Sequence, residues 1–354
     1  MPERTYLDHA ATSPLRPEAR AAMEEGFRIW ANPSSPHAEG RKARAALEDA
    51  RERIKRALGW DGELIFTSGA SEAADLALRS AKAGARLVSA VEHDAILKAA
   101  PDAERLPVHS NGALNLNVLS EAVRPARAMV AVQHINSETG NMQDLAAISK
   151  IVRDAGGCLL VDCAQSAGKK SLPDCDMAII SAHKFGGPIG IGALLVKDYA
   201  MLEPSGGHER GYRRGTENLP GALGMAAALE AASQPYVSGL VSKKLKEFGA
   251  FVRGFSGPCT WLSDHLSCPT TYIQAVATPQ LSGSAQVMRL DLDGIAVSQG
   301  SACSSGTMKT SHVLEAMGLD PNIASNVIRI SVGWNSKGAD IDRLTERWIE
   351  MAEY

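Results

Sequence analysis

With 354 residues, and 37 Lys and Arg against 40 Asp and Glu, the chain is long enough for two cores and carries a formal net charge of −3, which gives no sign of a nucleic-acid surface. Six scattered cysteines in a chain this long do not read as a disulfide framework, none has Cys-x-x-Cys spacing for zinc, and the nine histidines show no metal-binding pattern. No apolar run approaches a membrane span and Met1 to Thr5 lacks a signal-peptide pattern, so a soluble, cytoplasmic protein with no membrane partner is expected.

In chain order, the first clear element is a helix from Glu39 to Leu58. Ala43, Ala46, Leu47, Ala50, Ile54, Ala57 and Leu58 form its apolar stripe, and Gly59 ends it. Strand candidates at 64–67, 86–91, 128–133, 158–162, 177–182 and 193–196 then alternate with helical segments. That alternation predicts an α/β fold with a mostly parallel sheet. Residues 220–233 and 242–251 read as helices, the second leading into another domain whose apolar segments are shorter. There is no internal repeat and no low-complexity tract.

The chemistry-bearing residues fall at the ends of these elements. Lys184 follows the 177–182 run at once and precedes Phe185-Gly186-Gly187. A lysine there packs poorly, but an amine held over the crevice and partly desolvated suits Schiff-base formation; the bland alternative is a solvated surface group. Asp162 ends a neighbouring run, where it either keeps a pyridine nitrogen protonated or merely pairs with the lysine. Thr67-Ser68-Gly69-Ala70-Ser71 passes from strand to helix, an anion site through its free N–H groups or simply an N-cap at Ser71. Arg329, mid-strand among apolar residues, requires a carboxylate partner, from a substrate or from the protein itself. Cys303 lies in Gly300-Ser301-Ala302-Cys303-Ser304-Ser305-Gly306, a run of small residues that predicts an exposed, mobile thiol able to ionise and attack sulfur. Cys158 and Cys163, beside an apolar strand, read as small buried hydrophobes. His93 alone would be a core histidine, and Asn136 and Thr216 turn residues.

Taken together, Tyr6-Leu7-Asp8-His9-Ala10-Ala11-Thr12, Asn32-Pro33-Ser34-Ser35-Pro36-His37, Thr67 to Glu72, Glu92-His93, Asn136-Ser137-Glu138-Thr139-Gly140, Asp162-Cys163-Ala164-Gln165 and Ser181-Ala182-His183-Lys184 resemble, in this order, the class V aminotransferase-fold enzymes. Gly206 to Arg210, Gly215 to Asn218 and the Cys303 segment make the resemblance one to NifS/IscS-like cysteine desulfurases, and it spans nearly the whole chain.

The resemblance implies fold type I of the pyridoxal-phosphate enzymes. A large domain over 14–244, with a mostly parallel seven-stranded sheet flanked by helices, would be joined by a smaller α+β domain from 1–13 and 245–354 carrying Cys303 and Arg329. It implies pyridoxal 5'-phosphate as cofactor, no metal, Lys184 as the Schiff-base lysine, Asp162 on the pyridine nitrogen, Gln165 on the phenolic oxygen and His93 over the ring. Gly69, Ala70, Ser71, Ser181 and His183 would hold the phosphate, with Thr216 reaching the phosphate of the other subunit in a homodimer. Asn136 and Arg329 would receive the substrate carboxylate.

The activity implied is conversion of L-cysteine to L-alanine with a persulfide left on Cys303 for an acceptor protein, in iron–sulfur cluster assembly or thiolation. A selenocysteine lyase, or another class V enzyme with Cys303 incidental, is the alternative; a non-catalytic scaffold has no use for Lys184, Asp162, His93 and Arg329 together. Three features depart from the family pattern. Few residues follow Arg329, a short tail for docking a scaffold protein; Cys268-Pro269-Thr270-Thr271-Tyr272 replaces a Leu-Pro-Asn-Thr-like run; and Pro36 stands in place of a bulky apolar residue.

Overall fold

A computed structural model describes residues 4–123, 127–232, 235–255, 259–300 and 311–353. Strand β1 (Thr5–Tyr6) is followed by helices α1 (Pro17–Ile29) and α2 (Ala38–Leu58). Strands and helices then alternate through β2 (Glu63–Thr67), α3 (Ala70–Ser80), β3 (Arg86–Ser89), α4 (Asp94–Ala99), β4 (Glu104–Leu106), α5 (Leu116–Ala122), β5 (Met129–Gln133), α6 (Leu145–Asp154), β6 (Cys158–Asp162), β7 (Met177–Ser181) and β8 (Gly192–Val196). Helices α7 (Leu219–Glu230) and α8 (Gly239–Gly254) lead to β9 (Thr260–Trp261), β10 (Ile273–Ala277), α9 (Gly283–Leu292), β11 (Ile295–Ala296), α10 (His312–Ala316), α11 (Pro321–Ala324), β12 (Val327–Ser331) and α12 (Gly338–Ala352).

Seven strands form the central sheet in the order β2-β8-β7-β6-β5-β3-β4. All pairings are parallel except those of β8, which runs antiparallel to both β2 and β7. Strands β5 and β7 are buried throughout, as a sheet covered on both faces requires, which is why they read as unbroken apolar runs. Alternate residues serve opposite faces: Leu159 and Val161 of β6 join one core and Leu160 the other. Helix α7, apolar on nearly every side, packs against α1 and α2 over the first face. Strand β4 is the edge that hydrophobic patterning misses, because only Leu106 of its three residues is buried.

A separate core gathers Val241, Leu245, Phe248 and Val252 of α8, Ile273 and Val276 of β10, Ile328 and Ile330 of β12, and Trp348 of α12. Each such fully buried aliphatic contributes roughly 1.5–3 kcal/mol. Leu7 and Ala10 join this core, so the N-terminal segment packs with the C-terminal third of the chain. Helix α8 runs across residue 244. Among the described residues no helix is long and apolar enough to cross a membrane.

Candidate active site

The carboxyl ends of β6 and β7 open the crevice where ligands bind in sheets of this kind. Their register pairs Asp162 with Ile179, so Asp162 ends β6 beside the last turn of backbone before Ser181. A short 3₁₀ turn, Ala182–Lys184, then directs the lysine back over the strand ends. Lys184 Nζ donates to the carbonyls of Ala10 (2.7 Å) and Ala11 (2.8 Å), and Gln165 Nε2 donates to the same Ala10 oxygen at 2.8 Å. The segment between β1 and α1 thus lies across the lysine.

Burial pushes the Asp162 carboxyl above its usual range, against the pull of the Ala164 N–H and the charges of His93 and Lys184. A protonated ring nitrogen beside it would relieve that cost. His93 caps α4, its Nδ1 accepting from Ala95 N at 3.1 Å.

At the other end of the lysine, α3 begins at Ala70 behind Gly69, with no side-chain cap, and Ser68 and Ser71 are exposed. Its first N–H groups are therefore available to an anion. A Cβ built on Gly69 would lie 3.9 Å from Ser181 Oγ, so the helix start and the end of β7 border one space. Gly192 permits this approach, since its own Cβ would fall 2.8 Å from Gly69 Cα. His183 Nδ1 lies 3.2 Å from Thr12 Oγ1, and burial, with the charges of Lys184 and Lys169, lowers its pKa to about 4, so the ring is neutral. Thr216 is exposed on the loop before α7. The open helix start with Ser71 and Ser181, the His183 ring, the Lys184 amine and the half-buried Asp162 carboxylate fit, by their chemistry, the phosphate, aldehyde and ring nitrogen of pyridoxal phosphate.

The third wall comes from β12. Arg329 donates through Nη1 to Ser137 O (2.9 Å) and through Nη2 to Asp8 Oδ1 (2.7 Å), while its buried Nε has no partner. The carboxylate that Arg329 requires is thus supplied by the protein, and Nε is the one guanidinium nitrogen left without a partner. Asn136 is engaged as a turn organiser: Oδ1 accepts from Glu138 N, Thr139 N and Thr139 Oγ1, and Nδ2 donates to Val91 O, leaving one amide hydrogen for a ligand. Cys303 lies outside the described residues, but the chain on either side of it does not. Ser311 Oγ donates to Glu138 Oε2 at 2.5 Å, and a Cβ on Gly300 would lie 2.7 Å from that same oxygen. Both flanks of the cysteine segment therefore close on Glu138, next to Arg329's anchor at Ser137.

The profile of the aminotransferase class-V family matches residues 5–344. The chain belongs to that family. It is 36% identical to a cysteine desulfurase of Cereibacter sphaeroides, over 97% of this chain and 94% of the relative. A NifS-like protein of Rickettsia africae ESF-5 superposes with a TM-score of 0.89 at 27% identity, covering 99% of this chain and all of the other. A structure described as SspA in complex with cysteine superposes with a TM-score of 0.80 at 29% identity, over 93% of this chain and 99% of that one. Within the class-V family, the likeness is to the NifS- and IscS-like cysteine desulfurases.

Sequence reasoning passed over three residues of this class-V site. Asp8 was part of a motif without a role, and it meets Arg329 only because residues 8 and 331 form a parallel bridge across the whole length of the chain. Glu138 carries no local signal. Lys169, four residues after Gln165 in the turns that follow β6, is buried, and its nearness to Gln165 in the sequence was the available hint. The described cysteines divide as their surroundings dictate: burial raises the thiols of Cys158 and Cys175 to about 12 and that of Cys163 well above the ordinary value, leaving them inert at neutral pH, while Cys268 is exposed.

Proposed function

We propose that this class-V protein is a pyridoxal-phosphate-dependent cysteine desulfurase that converts L-cysteine to L-alanine and leaves the sulfur as a persulfide on Cys303. The observation that carries this reading is the closure of both flanks of the Cys303 segment on Glu138, beside the arginine that keeps an N–H for a carboxylate. The names of the relatives and the cysteine complex of SspA support the choice of substrate.

Bound with its phosphate at the α3 start, pyridoxal phosphate would supply an electron sink for the substrate α-carbon. Gly69, Ala70, Ser71, Ser181 and His183 would hold the phosphate, and Asp162 would keep the pyridine nitrogen protonated. Gln165 would donate to the phenolic oxygen and His93 would lie against the ring. Lys184 Nζ takes the substrate's α-proton as general base and returns it, an assistance worth on the order of 10²–10⁴ in rate. Arg329 Nε, with the remaining hydrogen of Asn136 Nδ2, orients the substrate carboxylate. The Cys303 thiolate then attacks the substrate sulfur: an S–S bond forms as the Cβ–Sγ bond breaks, and the electron pair stays with the carbon fragment that leaves as alanine.

A homodimer in which Thr216 reaches the partner's phosphate belongs to this reading, as do the division into 14–244 and 1–13 with 245–354, a cytoplasmic setting and an acceptor protein for the sulfur.

The test supplies L-cysteine to the cofactor-loaded protein and measures alanine together with sulfide under reductant. Wild type forms both in equal amounts, Cys303→Ala loses sulfide release, and Lys184→Ala loses the visible cofactor band as well. A Cys303→Ala variant that releases sulfide at the wild-type rate rejects the persulfide role. Parallel turnover of selenocysteine but not cysteine by wild type assigns a lyase instead.

A further inference from the structure

Lys169 lies four residues after Gln165, at the root of the crevice, and is 2% exposed. Its Nζ donates to Gln165 Oε1 at 3.2 Å and lies 5.2 Å from the ring centroid of Tyr236 and 5.3 Å from that of Tyr272. Those rings meet edge to face at 5.7 Å, and Tyr272 OH donates to Gln165 O at 3.0 Å. A lysine this buried needs such faces, because each offers a cation its negative π-surface.

The enclosure decides which way the Gln165 amide points. A protonated lysine has only donors, so the amide oxygen must face it, and the NH₂ group must face the crevice. One N–H reaches Ala10 O and the other remains for a ligand. We propose that Lys169 is a positioning residue that fixes and polarises the Gln165 amide as the hydrogen-bond donor to the cofactor's phenolic oxygen. This rests on the cofactor assignment above and adds the group that holds its donor in place.

The titratable and charged groups facing Lys169 are Lys184 and Arg329, the phenols of Tyr236 and Tyr272, and the imidazoles of His9 and His183. Burial, then the charges of Lys184 and Arg329, lowers the Lys169 pKa to about 7.

The experiment is a pH titration of the visible band of the cofactor-loaded protein, with cofactor affinity measured by fluorescence, for wild type, Lys169→Met and Gln165→Glu. A donor to the phenolic oxygen draws electron density from the neighbouring imine nitrogen and eases loss of its proton. Lys169→Met should therefore raise the titration midpoint by about one pH unit and weaken cofactor binding about fivefold, with Gln165→Glu shifting the midpoint in the same direction. Gln165→Glu keeps a partner for Lys169, so it stands in should the methionine variant not fold. A midpoint unchanged in either variant that binds cofactor overturns the inference. A wild-type protein that binds no pyridoxal phosphate overturns the cofactor assignment itself, and the two failures are separable.

Discussion

Among the described residues, two arginine–carboxylate pairs bury their guanidinium, and they are built differently. Arg51 and Glu209 are 3% and 1% exposed at the side chain and meet in a two-pronged contact of 2.9 and 3.1 Å. All three Arg51 nitrogens are engaged: Nη1 also donates to Leu64 O and Nε to Glu48, while Glu209 Oε2 accepts from Phe66 N. Arg329 and Asp8 meet through one nitrogen, Asp8 is 19% exposed, and Arg329 Nε is left over. Both pairs neutralise a buried guanidinium, but only the second leaves a guanidinium nitrogen, Arg329 Nε, without a partner. A fully engaged pair is a joint; in the function proposed above, the unengaged Nε of the other receives the substrate carboxylate.

The largest effect should come from breaking the complete pair. Glu209 sits at φ 47° and Arg210 at φ 55°, backbone positions that a side chain tolerates only when its surroundings impose them. Arg51→Ala leaves Glu209 charged, buried and at the root of the 206–217 loop, and should cost about 3–5 kcal/mol in urea denaturation. A loss below about 1 kcal/mol would class it with surface pairs. Exchange of both partners for methionine should cost less than the two single losses added together, although Phe66 N and Leu64 O then go unpaired.

The incomplete pair should show its worth in kinetics more than in folding. Arg329→Met should lower kcat/KM for L-cysteine by about 10²–10³, equivalent to roughly 3–4 kcal/mol, while Asp8, partly exposed, can rehydrate and limit the loss of stability. Asp8→Asn should act the other way on binding. With the resident carboxylate gone, Arg329 offers its full charge to the substrate, and KM should fall about fivefold, the value of roughly 1 kcal/mol of relieved repulsion. A KM that rises in Asp8→Asn would mean that Asp8 orients Arg329 and does not compete for it.

These contrasts also mark what the amino-acid order could disclose. Strands β6 and β7 were legible because burial on both faces demands unbroken apolar runs, and Lys184 and Asp162 were legible because each ends such a run. Helix α2 was legible through its stripe and through Gly59, whose φ of 66° closes it. The partner of Arg329 was not, because it comes from 321 residues away through a bridge between two short segments. Arg329's need for an anion could be stated, but its source had to await the fold. Lys169 was silent for the opposite reason: its hydrogen-bond partner is local, yet the two rings that make its burial tolerable come from Tyr236 and Tyr272, far along the chain. In general the strand ends declared the chemistry, and tertiary contacts chose which groups complete it.

A third pair separates geometry from burial as the source of these effects. Arg53 and Glu230 join α2 to α7 with bonds of 2.8 and 2.5 Å, a two-pronged contact at least as short as that of Arg51 with Glu209. Their side chains are 26% and 43% exposed. If bond geometry set the energy, Arg53→Ala would cost as much as Arg51→Ala. Water, however, screens an exposed pair and solvates whichever partner is left, so the loss should be only about 0.2–1 kcal/mol. It should shrink further in 1 M salt, where charges are screened over about 3 Å, whereas the Arg51 loss should hold. Urea denaturation of both variants at low and high salt measures this directly, and equal losses would move the cause from burial to geometry.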